Sequence, residues 1–249
     1  MAHFEPVEHM AARKGALLES LLIIGDHASN HVPDNIQLGL APYVMQTHRA
    51  VDLGTEQLSM LLAERFGCAV ANARASRLVV DLNRHRDDPD VIPHASDAVE
   101  IPGNRLDETA HEARLDRYYD SYHRRIGEII ASINPKLLIF LHSFASKLDS
   151  QQHQSRPWHI GIMYDDDDRA GQVALDYFHS VDIPVGDQLP YSGKIYNSSI
   201  SRHGDRNGIA CLGLEIRQDR LANAAGRAVM ADHVGAMAEA IVQALLLEA

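Results

Sequence analysis

Two histidines, a glutamate and an Asn-Arg pair stand where apolar runs of this chain give out. Asp26-His27 follow Leu21-Leu22-Ile23-Ile24, and Asn83-Arg84 follow Leu78-Val79-Val80-Asp81-Leu82. His142 follows Leu137-Leu138-Ile139-Phe140-Leu141, and Glu215 follows Leu212-Gly213-Leu214. Imidazole and carboxylate are the ligands of a catalytic zinc, which usually takes three from the protein and keeps one position for water. A further carboxylate beside such an ion serves as general base. Arginine grips a carboxylate through its planar fork. Together the four groups read as a metal-assisted hydrolytic site.

Each residue also has a plain structural reading. A lone strand-terminal histidine is more often hydrogen-bonded structure than a ligand, but His27 and His142 hold the same place on two runs. The third ligand is expected to be Asp52, at the start of the helix after the first strand, where capping alone also favours aspartate. Asn30, three residues after His27, is the alternative, although an amide is a poorer zinc ligand than a carboxylate. Glu215, between Leu214 and Ile216, is costly to bury unless it is paired or functional. Arg217, two residues on and on the same strand face, is the structural partner; a general base is the functional reading. Asn83-Arg84 read as a surface turn or as a carboxylate clamp. Arg49, beside His48, is a candidate for a second carboxylate or for a developing oxyanion. The four acids Asp165 to Asp168 read as a solvated loop and helix N-terminus rather than a cation site.

These groups need a frame that brings them to one edge. Apolar runs rich in Ile, Val and Leu suit strands buried on both faces. Strands are expected over residues 20–25, 69–72, 78–82, 136–141, 159–164 and 209–216. Amphipathic helices are expected over 53–66, 106–133, 170–179 and 222–247, with long loops at 84–103 and 184–208. Gly67 and Asn134-Pro135 supply helix stops. The alternation predicts a mainly parallel sheet with covering helices. In such a sheet ligands bind beyond the carboxyl ends of the strands.

Composition narrows the partners. The 249 residues are 45% hydrophobic and 23% charged, in the globular range, so a sizeable core is expected. With 23 basic against 34 acidic residues the formal charge is -11, which disfavours nucleic acid and anionic membrane as partners. Two cysteines, Cys68 and Cys211, fit a reducing compartment better than a disulfide scaffold. No secretory signal and no membrane-spanning run is evident, so a cytoplasmic location is expected.

The stretches Asp26-His27-Ala28-Ser29-Asn30, His48–Gly54, Arg77–Arg84, Leu141–Phe144 and Leu214–Asp219 resemble the N-formylglutamate amidohydrolase family. The resemblance implies a single domain over residues 1–249. Its fold would be three-layer α/β/α around a mixed, mainly parallel sheet, similar to the zinc exopeptidases. Asn83-Arg84, His142-Ser143-Phe144 and Glu215-Ile216-Arg217 are similar, in chain order, to the carboxypeptidase segments that grip substrate, bind zinc and supply the base. Asn30 stands where the carboxypeptidase His-x-x-Glu motif has its glutamate, whereas Asp52 resembles the ligand carboxylate of zinc amidases that cleave peptidoglycan. The implied site is Zn2+ on His27, Asp52 and His142, with Glu215 catalytic. Asn83, Arg84, Arg49, His48, Arg217 and His203 would face a small anionic N-acyl amino acid. The same donors suit manganese, cobalt or iron. The implied reaction is hydrolysis of N-formyl-L-glutamate to formate and L-glutamate. Cleavage of another acylated amino acid or peptide, or non-catalytic binding of an acidic ligand, are the alternatives. The loop carrying Tyr191, Ser192, Gly193, Tyr196, Asn197 and His203 is expected to close over substrate.

Overall fold

A computed structural model describes residues 4–151, 153–195 and 198–247. Strands in chain order are β1 (Val7–Met10), β2 (Leu21–Gly25), β3 (Ala69–Ala73), β4 (Ala95–Ser96), β5 (Val99–Glu100), β6 (Leu137–Phe144), β7 (Ile160–Met163), β8 (Val185–Asp187) and β9 (Ala210–Arg217). The α-helices are α1 (Thr55–Phe66), α2 (Glu108–Arg114), α3 (Ser121–Ile133), α4 (Arg169–Ser180) and α5 (Ala224–Leu247). Seven strands form one sheet in the order β1-β3-β2-β6-β9-β7-β8, and β4 and β5 form a separate small hairpin. The centre, β3-β2-β6-β9, is parallel; β1 and β7 join it antiparallel, and β8 runs parallel to β7. The mixed, mainly parallel sheet is the expected one.

Side-chain alternation along the central strands sorts the core into two halves. Leu22, Ile24, Leu138, Phe140 and Cys211 pack on one face with α3 residues Tyr122, Ile126 and Ile129. Leu21, Ile23, Leu137, Ile139, Leu212 and Leu214 pack on the other with Leu58, Phe178, Val234 and Ile241 from α1, α4 and α5. This makes a three-layer α/β/α arrangement. Continuing the alternation places His142 and Glu215 on the α3 side. From β2 the chain passes to β3 on one side and then crosses to β6 on the other, so the switch point lies between β2 and β6. A cleft is expected beyond the strand ends there.

Beside β8, which lies inside the loop expected at 184–208, and the β4-β5 hairpin, inside the loop expected at 84–103, four further elements differ from expectation. β1 is an added edge strand. Residues 78–82 are buried but form no ladder: Ser76 Oγ accepts from the Leu78 amide, Asn104 Nδ2 donates to the Leu78 carbonyl, and the Asp81 amide donates to Val91 O. Local turns satisfy this backbone in place of a neighbouring strand, and an apolar run does not distinguish the two. β6 continues past Leu141, so His142 lies within the strand. The helix expected over 106–133 is α2 and α3 joined by a π turn, Leu115–Asp120. It seats Tyr118 and Tyr119, whose hydroxyls donate to Asn35 Oδ1 and the Arg84 carbonyl, and Tyr122 in the first turn of α3 donates to Asp26 Oδ1.

α1 ends at Gly67 in the left-handed region, as its position predicted. It begins after Gly54, at φ 87, where a Cβ would lie 2.5 Å from Leu221 Cβ. Only glycine fits that approach. α5 is long and apolar enough to cross a membrane, with mean hydropathy 1.3. One side of it packs Met230, Ala231, Val234, Met237, Ala238 and Ile241 into the core.

Candidate active site

Three of the expected residues meet at the switch point. The Asp52 amide donates to the His27 carbonyl at 3.0 Å, which fixes the segment before α1 against the end of β2. Asp52 Oδ2 then lies 2.9 Å from His142 Nδ1 and 3.5 Å from His27 Nδ1. His27, Asp52 and His142 can each offer one ligand atom within 4.8 Å of the others, and all three are buried. Asn30 instead donates its amide to the Met45 carbonyl. Register sets Glu215 directly across from His142.

Charge shows what this cluster requires. Asp26, Asp52, Asp81 and Glu215 are all buried. Arg77 answers two of them, donating to Asp52 Oδ1 at 3.2 Å and Asp81 Oδ2 at 2.9 Å. Burial alone would raise the Asp52 carboxyl, but His27, His142 and Arg77 hold it below the ordinary range. Burial and Arg77 push His27 down, yet Asp81 and Asp52 outweigh them and carry it up to about 9. His142 is raised as well, Asp52 and Glu215 overcoming the cost of burial. Without an ion, the acids therefore draw protons onto both histidines. A divalent cation brings the same positive charge and takes the place of those protons. Among the described residues His27 Nδ1 has no hydrogen-bond partner, although it points into the cluster. Two imidazoles and one carboxylate are a fitting donor set for zinc.

Glu215 and Asp26 are the two acids that Arg77 does not reach. Burial pushes the Glu215 carboxyl up to about 7, partly offset by the attraction of His142. Its Oε2 has no hydrogen-bond partner among the described residues. A group with that acidity is half-protonated near neutral pH and suits proton transfer in both directions.

The cluster forms one wall of a cavity of about 280 Å3. His48, Arg77, Asn83, Arg84, Ser143, Phe144, Met163 and Tyr191 line the rest together with Glu215. Arg84 is 31% exposed and donates to Asp88 at 3.1 Å, while Tyr119 holds its carbonyl from the π turn. The Asn83 side-chain oxygen accepts from the Ser199 amide at 3.2 Å. His48 Nε2 pairs with Asp97 at 2.8 Å.

Three expected substrate residues lie outside this cavity. Arg49 donates to the Asp149 carboxylate and the Asp97 carbonyl, so its guanidinium ties the rim loops together. Arg217 shares the face of Glu215 by alternation. Its guanidinium turns away to the carbonyls of Arg156, Pro157 and Trp158 and to Asp219, so it does not pair with Glu215. His203 is stacked on His123 behind the site, with His123 Nδ1 and His203 Nε2 2.9 Å apart. Of the loop expected to close over substrate, Tyr191 lines the cavity; Tyr196 and Asn197 lie outside the described residues. Arg77 and Asp81, which the sequence presented only at the start of an apolar run and within it, prove central. Their four-residue spacing was the available signal, but on a strand it places both side chains on one face without bringing them to Asp52.

Comparison with known proteins places the chain. A family model for N-formylglutamate amidohydrolase matches residues 19–222. The crystal structure of gene product Atu2144 from Agrobacterium tumefaciens superposes with a TM-score of 0.88 at 29% identity, covering 96% of each chain. That of N-formylglutamate amidohydrolase from Ralstonia eutropha JMP134 gives 0.76 at 19% identity, covering 98% of this chain and 99% of the other. No curated protein sequence matches the chain.

Proposed function

The chain belongs to the N-formylglutamate amidohydrolase family, and from that membership we propose that it hydrolyses N-formyl-L-glutamate to formate and L-glutamate with a divalent cation, zinc first, held by His27, Asp52 and His142. The observation that carries this reading is one small cavity holding the His-Asp-His cluster, an acid balanced near neutrality and an arginine. At about 280 Å3 it lies at the small end of ligand pockets. That size suits one acylated amino acid better than a peptide. The two cysteines, both buried and unpaired, support a reducing, cytoplasmic setting.

The residues divide the work. Arg84 takes a substrate carboxylate through its fork, with Asn83 and His48 beside it. That remote grip orients the amide and supplies binding energy for the reaction. Arg77 holds Asp52 and Asp81 in place, so the ligand carboxylate does not swing when the cluster is loaded. When bound, the cation supplies Lewis acidity, which acidifies a water and polarises the acyl oxygen. Glu215 takes a proton from the attacking water as its oxygen bonds to the formyl carbon. It then delivers that proton to the amide nitrogen as the C–N bond breaks, releasing formate and the free amine.

A panel of N-formyl-L-glutamate, N-formyl-L-norleucine, N-acetyl-L-glutamate and a glutamyl peptide tests the assignment. The formylated acidic substrate should have the highest kcat/KM, ahead of the neutral formyl compound by at least ~10-fold if Arg84 meets a carboxylate. Faster cleavage of the peptide or of the acetyl compound would assign the cavity to a different amidase reaction.

A further inference from the structure

Asp26 is adjacent to a proposed ligand, wholly buried, and unused by the reaction described above. Extending the β2–β6 register from Ile24 and Phe140 by two residues brings Asp26 level with His142. One carboxylate oxygen, Oδ1, accepts the Tyr122 hydroxyl at 2.5 Å. The other, Oδ2, lies 3.7 Å from His142 Nε2. Among the described residues neither of those last two atoms has a hydrogen-bond partner. Two buried polar atoms facing one another unpaired is a costly arrangement, and native interiors seldom retain one without a purpose.

The two histidines differ in an instructive way. His27 presents Nδ1 to Asp52, and its other nitrogen, Nε2, is held by Asp81 Oδ1 at 2.8 Å. His142 also presents Nδ1 to Asp52. If Nδ1 is to donate its lone pair to a cation, the ring proton must sit on Nε2. The acceptor facing Nε2 is Asp26 Oδ2, which a small tilt of the ring, on the order of 1 Å, would bring to hydrogen-bond distance. Metal-binding histidines almost always donate their second N–H to such a partner, which fixes the tautomer and raises ligand basicity.

We propose that Asp26, anchored by Tyr122, is the positioning residue for His142: it accepts the Nε2 proton and thereby holds Nδ1 ready for the cation, as Asp81 does for His27. The proposal rests on the reading of His27, Asp52 and His142 as a cation site. It explains why the chain places an aspartate directly before His27 and a tyrosine on the buried face of α3. Each serves the histidine of the neighbouring strand and not the one next to it in sequence.

The test is zinc affinity of the whole protein, measured by competition with a chromophoric chelator for the wild type, Asp26→Asn and Tyr122→Phe. Asp26→Asn keeps the side-chain shape and removes the charge; zinc binding should weaken ~10–100-fold. Tyr122→Phe should weaken it less, in the same direction. Unfolding midpoints of the chelated proteins, measured alongside, separate lost positioning from lost fold. Histidine-selective nitrogen NMR of the zinc-loaded wild type should show His142 protonated on Nε2. Wild-type affinity in Asp26→Asn, or a proton on His142 Nδ1, overturns the role of Asp26. A wild type that binds no zinc overturns the cation site itself, and with it this inference. Should Asp26→Asn fail to fold, the NMR measurement and Tyr122→Phe still decide.

Discussion

Replacing Glu215 with glutamine should move activity and stability in opposite directions. The side chain is 7% exposed, and burial raises its carboxyl from an ordinary 4.5 to about 7. Between those values the folded chain holds a proton that the unfolded chain has released, so stability falls as pH rises through the window. At pH 8 the ionised carboxylate costs the metal-free protein about 3 kcal/mol, and at pH 5.5 about 1 kcal/mol. Glutamine carries no such charge. In chelator, Glu215→Gln should therefore be more stable than the wild type by about 3 kcal/mol at pH 8, with a smaller gain at pH 5.5. Urea unfolding at the two pH values reads the difference directly. In the metal-loaded enzyme the same change should lower kcat by ~10²–10⁴, or about 3–5 kcal/mol of barrier, while the metal stays bound. A gain in stability that does not grow with pH would show that Glu215 is not held in its acid form by burial. Near-wild-type turnover would remove it from proton transfer.

Arg84→Ala should raise KM for an acidic substrate ~10–100-fold, the cost of losing a charged hydrogen bond, and change kcat less; unchanged KM in steady-state assays would place the carboxylate grip elsewhere. Gly54→Ala should destabilise the fold by about 2 kcal/mol or more, since alanine at φ 87 would drive its Cβ against Leu221; a shift in urea midpoint checks it, and an unchanged midpoint would deny the close approach. Burial also lowers His203 to about 4, so the unfolded chain takes up a proton below its ordinary 6.5 that the fold refuses. Stability should fall by about 2 kcal/mol from pH 7 to pH 4.5 on this account, and the His203→Gln variant should show a shallower acid loss in urea titrations.

The fold was legible because its signals are local. The runs at 21–25, 137–141 and 210–216 are strands, and Gly67 and Asn134 stop their helices where expected. The sequence pointed to His27, His142 and Glu215 as polar groups ending apolar runs, which gather at one sheet edge, and to Asp52, ahead of Asn30, as the carboxylate at the start of the next helix. What it hid depends on side-chain direction. Residues 78–82 have a strand's composition, and only the hydrogen bonds of Ser76 and Asn104 show that turns hold them. Arg49 and Arg217 are near the site in sequence, yet their guanidiniums find nearer carboxylates and carbonyls. Asp26 and Tyr122 are 96 residues apart, and nothing in either stretch alone announces that pair.

The most direct measurement is formate release from N-formyl-L-glutamate while zinc is titrated into chelator-treated enzyme. The account predicts no release without metal, then activity that climbs and levels off at one ion per chain. Equal formate release with and without metal, or none at full loading, would contradict it.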